Sequence, residues 1–209
     1  MHKIKRIVRQ ILEIWRHRGF KHVSEKARLG KGVKVYNKEN LIMEEGTNID
    51  AGGIVMNTNA KFVMKKWSGA AIGLTVISGN HVSIAGKAHK MVTDFDKQKI
   101  DVNHECDKDV IVDEDVWIAS NVTLLSGVHL GKCSIIGAGS VVRNNIPPYA
   151  IVAGNPAKIV GFRFTPEEAL IHERALFQEH ERMTIEELTD NYNKYFIKRL
   201  KEIKSFLKN

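Results

Sequence analysis

An aliphatic residue returns at every sixth position between Val110 and Pro147, and this spacing constrains the fold more than any other feature of the chain. The repeated positions are Val112, Ile118, Leu124, Leu130, Ile136 and Val142. A helix has a period near 3.6 and an ordinary strand a period of 2, so neither produces a strict period of six. An ordinary buried strand run punctuated by glycines would not keep six consecutive matches. Hexapeptide repeats are typical of a β-helix, which predicts short stacked strands around one narrow core.

The same spacing is weaker upstream and is interrupted once. It appears at Leu29, Val35 and Leu41, blurs between Gly46 and Gly73, and returns as strand-like residues at Val76, Ile77, Val82 and Ile84. Residues 86–109 then form a polar, charged stretch without regular apolar spacing. A loop of this length in a compact domain is usually functional or disordered. Because regular repeats flank it on both sides, we expect a loop that projects from the β-helix.

Both ends of the chain are predicted to be helical. Residues 2–18 combine an apolar stripe with a basic surface, which suits packing on the protein body or a neighbouring subunit, or contact with a membrane surface. Capping boxes at Thr165 and Thr184 predict two C-terminal helices, the second of which covers the open end of the β-helix core. The predicted segments are a helix over 1–22, a β-helix domain over 23–160 and a helical extension over 161–209.

Composition narrows the classes of partner. The net charge of +8 favours anionic partners such as a phosphorylated cofactor, a nucleotide sugar or an acidic membrane face. Nucleic acid is not expected, because no recognised binding motif accompanies the charge. Cys106 and Cys133 have neither disulfide-framework nor metal-site spacing, so we expect no metal and a reducing compartment. With no apolar run near ~18 residues and no apolar signal core, the sequence predicts a cytoplasmic protein, membrane association through residues 2–18 remaining open.

The run VWIASNVTLLSGVHLGKCSIIGAGSVV (116–142), followed by IPPYAIVAGNPAKIV (146–160), resembles the hexapeptide-repeat acyltransferases. The most similar subset contains the sugar O-acetyltransferases and the xenobiotic acetyltransferases. The resemblance implies an all-β core, namely a left-handed parallel β-helix with an extended loop and helical ends. It also implies a homotrimer with active sites between subunits. The implied reaction transfers acetyl from acetyl-CoA to a hydroxyl of a sugar or surface-polysaccharide precursor, with an antibiotic as the alternative acceptor.

The sequence ISGNH (77–81) looks like the family motif in which the histidine after Gly-Asn is the general base. An alcohol is a poor nucleophile at neutral pH, and a neutral imidazole can accept its proton as the new bond forms. His81 is therefore the predicted base. His89 is the runner-up, since HKM (89–91) resembles a string in some xenobiotic acetyltransferases. His104, Asn80 and Trp67 are the weaker acceptor-site candidates.

The resemblance also implies where the coenzyme's thioester and pantetheine arm lie. Ser120, three residues after the repeat tryptophan Trp117, matches a position whose backbone amide stabilises the oxyanion of the transition state. Ala138 matches a position whose backbone contacts the pantetheine arm, where a ligand must approach the main chain closely. Ala119 stands where glycine is commoner in the family, and Trp117 is a further cofactor-binding candidate.

Three basic residues are candidates for the phosphates of coenzyme A. Lys158 matches a phosphate contact of the family, and Arg163 is the second choice. The family commonly has Thr-Lys-Asp after the residue equivalent to Val142, whereas this chain has Arg143-Asn144-Asn145. We expect Arg143 to supply the missing charge one residue earlier.

Two further classes of function stay open at this point. A metal-dependent carbonic anhydrase on the same β-helix would need about three convergent imidazoles, for which His81, His89 and His104 are the plausible set. A non-catalytic scaffold associated with membranes is suggested by the basic segment 2–18. Fold alone does not decide between them, since one architecture hosts several chemistries.

Overall fold

The computed structural model describes residues 18–208. The predicted N-terminal helix over 2–18, except for its last residue, and most of the 1–22 segment therefore lie outside the described residues. Within 18–208, no helix combines the length and the apolar character needed to cross a bilayer.

Short strands stack into three sheets, and the chain passes from one sheet to the next in each coil. The first face contains β1 Arg28–Leu29, β4 Asn48–Ile49, β7 Gly69–Ala70, β10 Trp117–Ile118, β13 Ile135–Ile136, β15 Ala150–Ala153 and β16 Lys158–Phe162. The second face contains β2 Lys34–Val35, β5 Ile54–Met56, β8 Thr75–Ile77, β11 Thr123–Leu124 and β14 Val141–Val142. The third face contains β3 Leu41–Met43, β6 Phe62–Met64, β9 Val110–Val112 and β12 His129–Leu130.

Neighbouring strands are parallel throughout except for the final pair, β15 and β16, which is antiparallel. Inward-facing residues of successive coils lie directly above one another, as Ile118 pairs with Ala70 on one side and Ile136 on the other. All three are fully buried in one continuous core cluster. The aliphatic residue of each hexapeptide repeat therefore points inward, as the sequence predicted.

Three columns of turns join the faces. The glycine corner links the first face to the second, and each of its turns has a left-handed residue: Gly32, Gly52, Gly73, Asn121 and Gly139. The helix corner links the third face to the first, and its left-handed residues are Gly46, Trp67, Asp115, Cys133 and Tyr149. The excursion corner links the second face to the third, and its third turn is the long segment 78–109.

The blurred region between Gly46 and Gly73 forms regular coils. The spacing from Leu29 to Ile49 is 20 residues and from Ile49 to Ala70 is 21, against 18 from Ile118 to Ile136. The additional residues lie at the excursion corner. There the buried Asn57 side chain accepts from the backbone N–H of Asn37 at 3.0 Å and donates to its carbonyl at 2.8 Å. Longer turns, satisfied by these amides, shift the six-residue period without interrupting the stack.

The long excursion begins earlier than predicted and contains secondary structure. It leaves the second face after Ile77, so the strand predicted at Val82 and Ile84 is wrong, and the loop starts eight residues before residue 86. Its elements are a 3-10 turn, His89–Met91, and helix α1, Asp94–Ile100. The excursion returns where the Lys108 N–H donates to the Ser78 carbonyl at 3.0 Å.

The C-terminal helices are α2 Pro166–Leu176, α3 Ile185–Tyr195 and α4 Leu200–Leu207. The predicted capping boxes are confirmed at Thr165 and Thr184. The single second helix was wrong, because the α-helix ends at Tyr195 and a 3-10 turn, Ile197–Arg199, separates it from α4. Ile203 of α4 is buried in the β-helix core cluster, which closes the C-terminal end of that core.

Candidate active site

Two histidines lie together where the excursion leaves the β-helix. The imidazole rings of His81 and His89 have centroids 5.1 Å apart and are nearly perpendicular, with an interplanar angle of 89°. Both residues are exposed to solvent. The two residues that the sequence offered as rival bases therefore share one site.

The main chain beside His81 is anchored to the returning strand of the excursion. The Asn80 N–H donates to the Cys106 carbonyl at 2.8 Å, and Gly79 forms an antiparallel bridge with Asp107. A Cβ at Gly79 would lie 2.5 Å from an Asp107 carboxylate oxygen, so a larger residue here would displace the Asp107 side chain. His81 thus follows two residues whose backbone is paired with the returning strand of the excursion.

A carboxylate organises the part of the excursion that presents His89. Asp96 accepts from the Lys87 ammonium at 2.5 Å, and from the N–H and hydroxyl of Thr93 at 2.7 and 2.8 Å. The Lys87 hydrogen bond, with those from Thr93, holds the pKa of Asp96 well below its usual range. His89 lies between Lys87 and Thr93, so this network folds the segment around it.

The far side of the excursion is held by two other carboxylates. Asp107 pairs with Lys97 of α1 at 2.7 Å and accepts from the Asn59 amide at 3.0 Å. Asp101 accepts from the N–H groups of Glu105 and Cys106 at 2.6 and 3.0 Å. Burial raises the pKa of Asp101, but the donors at Cys106 and Glu105 outweigh it and lower that pKa overall. His104 lies in the turn between these anchors, with a left-handed φ of 54°.

A second set of predicted residues lies along the glycine corner. Trp117 is 58% exposed, Ala138 is exposed, and Ala119 and Ser120 are half-buried. The Gly139 N–H donates to the Ser120 carbonyl at 2.9 Å, which stacks the two turns that carry Ser120 and Ala138. The small residues leave an open path along the outside of these turns.

The glycine corner continues into the turn before β16. The Val141 N–H donates to the Gly154 carbonyl at 3.1 Å, and the Ala157 N–H donates to the Val141 carbonyl at 2.9 Å. Lys158 follows directly and is exposed, with its ammonium 5.0 Å from the ring centroid of Phe206 in α4. The exposed ammonium of Lys158, in contact with the Phe206 ring, therefore lies at the end of the same column that carries Ser120 and Ala138.

The structure separates three predicted site residues from this column. Arg143 follows β14 at the excursion corner, two coils from the turn that leads to His81. Arg163 lies at the helix corner, where its guanidinium contacts the Asp115 carboxylate at 2.7 Å. The Arg163 guanidinium is already paired with this carboxylate, and its contact with a coenzyme phosphate stays a prediction. Trp67 also lies at the helix corner, with its ring 6.0 Å from that of Phe177.

The helix corner contains the chain's candidate metal ligands among the described residues. Ligand atoms of Asp115, Cys133 and His172 lie within 4.8 Å of one another. The same Asp115 oxygen is bound by Arg163 and, at 3.0 Å, by His172. Burial raises the pKa of the Cys133 thiol to about 12, so it is protonated at neutral pH. Asp115 thus contacts both Arg163 and His172, and the neighbouring Cys133 thiol is neutral. The contact with His172 of α2 fixes that helix against the β-helix.

As with His172, sequence reasoning did not predict the carboxylate partner of His129. His129 of β12 contacts the Asp113 carboxylate at 2.6 Å, and Lys65 contacts the other oxygen of that carboxylate at 2.7 Å. These residues come from different coils and meet on the outside of the third face. The sequence shows that these three residues are neighbours only when the number of residues in each coil is known.

One chain does not bring its two candidate half-sites together. His81 follows β8 at one edge of the second face, whereas the turns with Ser120 and Ala138 precede β11 and β14 at the opposite edge. Crossing that face takes about four residues of strand, or roughly 13 Å at 3.3 Å per residue. An imidazole cannot span this gap, since a general base must lie about 2.6–3.2 Å from the proton it removes.

Comparison with known proteins identifies the repeats. Residues 109–144 match the family model described as bacterial transferase hexapeptide (six repeats). The rungs between residues 109 and 144 are therefore similar to bacterial transferase hexapeptide repeats. The predicted resemblance to hexapeptide-repeat acyltransferases, and the predicted left-handed parallel β-helix, are thereby confirmed.

Three proteins illustrate the extent of the similarity. The chain is 34% identical over 115 residues to a galactoside O-acetyltransferase of Lactococcus lactis, which covers 54% of this chain and 53% of the relative. It is 45% identical over 60 residues to a probable macrolide acetyltransferase of Lysinibacillus sphaericus, which covers 29% and 33%. The matches thus span between a third and about half of these relatives' lengths.

Among solved structures, the fold is similar to that of a hexapeptide-repeat acetyltransferase of Vibrio cholerae complexed with acetyl coenzyme A. The TM-score is 0.59 at 21% identity, with 78% of each chain covered. At this identity the similarity concerns the fold of the hexapeptide rungs and not the acceptor.

Proposed function

We propose that this chain is an acetyl-CoA-dependent O-acetyltransferase with His81 as the general base. Each active site is proposed to lie between two copies of the chain. The observation that carries the proposal is the position of the matched repeats. They build the column of small residues from Ala119 to Ala138 that ends at the exposed Lys158. Such a column fits an extended pantetheine arm with a phosphate end.

The chemistry follows from the two half-sites. His81 accepts the proton of the acceptor hydroxyl as its oxygen attacks the thioester carbonyl carbon. The Ser120 N–H stabilises the negative charge that develops on the carbonyl oxygen. The C–S bond then breaks, the imidazolium returns its proton to the leaving thiolate, and the products are an acetyl ester and free coenzyme A.

Assembly is part of the proposal, because the half-sites lie on opposite edges of the second face. A neighbouring copy that places its excursion corner against the glycine corner would bring His81 to Ser120. A closed ring of three such head-to-tail contacts gives three equivalent sites. We propose a homotrimer on this basis.

The acceptor is proposed as a sugar hydroxyl. The excursion around the histidine pair is rich in paired Lys and Asp side chains, and these polar groups suit a polyhydroxylated molecule. The named galactoside O-acetyltransferase relative supports this class, and it matches the chain over a longer stretch than the macrolide acetyltransferase does. The xenobiotic alternative rests on that second match.

The proposal is tested by thiol release from acetyl-CoA with a galactoside, maltose, a sialic acid polymer and a macrolide as acceptors. We expect thiol release that depends on one of the saccharides and an acetyl ester in the product by mass spectrometry. Calorimetry with acetyl-CoA alone provides the second measurement. Failure to bind acetyl-CoA at millimolar concentration would remove the proposal, whatever acceptor is tried.

A further inference from the structure

We infer that His89 is a positioning residue for His81, which fixes the direction of the His81 imidazole through edge-to-face ring contact. The inference rests on the proposed function, since it assigns a role within that same site. His81 and His89 then have different roles in one site and are not alternatives for the same role.

The ring contact is specific in its geometry. The two imidazoles meet at 89° with centroids 5.1 Å apart, within the range of separations and the T-shaped arrangement that aromatic pairs prefer. His81 is exposed, so without a neighbour its ring would rotate about two side-chain torsions. A misplacement of about 1 Å can cost on the order of 100-fold in rate.

His89 is presented by a folded segment. The 3-10 turn His89–Met91 is closed by the Met91 N–H, which donates to the Ala88 carbonyl at 2.8 Å. Ion pairing between Lys87 and Asp96 and the Thr93 capping box hold the turn on both sides. The rigidity of this scaffold is what a positioning role requires.

The two histidines differ in how they are attached, and this decides which is the base. His81 follows Asn80, whose backbone is bonded to Cys106 beside the β-helix. His89 lies twelve residues beyond the end of β8 and is connected to α1 through the Lys87–Asp96 pair. In the proposed assembly the imidazole nearer the coils faces a neighbouring copy's glycine corner, and the outer imidazole packs on it.

The kinetic test uses His89→Ala and His89→Phe in the full-length protein, with Met91→Ala as control because Met91 is 65% exposed on the same turn. The assay is thiol release from acetyl-CoA with p-nitrophenyl β-galactoside and maltose. We expect His89→Ala to lower kcat roughly 10- to 100-fold with little change in the KM for acetyl-CoA. His89→Phe should recover most of the rate, since a phenyl ring keeps the contact.

Two kinetic results would overturn the inference. If His89→Phe is as inactive as His89→Ala, a titrating or hydrogen-bonding imidazole is required at 89 and the role is chemical. If both variants retain full kcat, the contact does not position the base.

A structural measurement separates this inference from the proposed function. In the wild-type protein without ligands, we expect nuclear Overhauser contacts between the ring protons of His81 and His89. The His81 ring resonances should move in His89→Ala and move much less in His89→Phe. Absence of the ring contacts would overturn the inference even in an active enzyme, and their presence in a protein without transferase activity would leave only the proposed function rejected.

Discussion

The glycine corner and the excursion corner belong to the same coils, but the turns of the first repeat and the turns of the second do not. At the glycine corner a left-handed residue recurs in every turn, and the spacing leaves small side chains along an open path. At the excursion corner each turn differs, and the longest runs from 78 to 109 and is held by side-chain ion pairs. A repeated surface suits a cofactor with a constant shape, whereas an irregular one can be altered for a particular acceptor without disturbing the stack.

The largest effect is expected at the excursion corner, from the loss of His81. His81→Ala should lower turnover at least about 100-fold, because it removes the general base, while the melting temperature stays near the wild-type value since the side chain is exposed. The measurement is steady-state thiol release together with thermal unfolding. His180→Ala is the matched control, as it removes an exposed histidine from the C-terminal region. Full activity of His81→Ala, with His89→Ala inactive, would exchange the two roles.

The next largest effect is expected at the glycine corner, from the loss of the Lys158 ammonium. Lys158→Ala should raise the KM for acetyl-CoA several-fold, by roughly the strength of one charge-assisted hydrogen bond to a phosphate, with kcat little changed. Lys34→Ala removes a charge of the same sign from the first coil and should leave the KM unaltered. An unchanged KM in Lys158→Ala would separate this lysine from the coenzyme.

The smallest effect is expected from the scaffold of the excursion. Asp96→Asn weakens the pairing with Lys87 and should increase amide exchange across α1, with at most a few-fold loss of kcat through His89. Asp94→Asn is the control, since it removes an equal charge from the first turn of the same helix. Similar exchange in both variants would show that Asp96 does not organise the segment.

The same carboxylate predicts a pH dependence. The folded-state pKa of Asp96 is lowered from the ordinary 3.8, so the network contributes fully above about pH 4 and is lost as the pH falls further toward the depressed value. Amide exchange in α1, corrected for the intrinsic rate at each pH, should rise below pH 4 in the wild type. In Asp96→Asn it should be raised already at neutral pH. Constant exchange in the wild type would contradict the assignment.

The regular part of this molecule was predictable because one physical requirement repeats. Each of Ile118, Leu124 and Leu130 must fill the same narrow core, so the spacing itself describes the coil. The early coils were harder to predict, since amides such as Asn57 satisfy longer turns and shift the period. A period analysis that allows 20 or 21 residues per coil would have found them.

Long-range pairing is the part of the site that the sequence does not show. Arg163 pairs with Asp115, 48 residues earlier, and nothing in the repeat pattern predicts that contact. The contact between His81 and His89 depends on the fold of the intervening turn, which carries no repeat. Residues in the hexapeptide segment could be assigned by position, whereas those in the excursion required coordinates.

In the proposed assembly, the base and the coenzyme groove of one active site come from different copies of the chain. It is tested by co-expressing His81→Ala with Ala138→Trp, which blocks the groove at an exposed position, and measuring thiol release by the mixed oligomers. Each variant alone should be nearly inactive. Random mixing in equal amounts should restore about a quarter of wild-type activity, since half of the bases meet half of the intact grooves. Mixed oligomers that stay as inactive as their parents would contradict the claim.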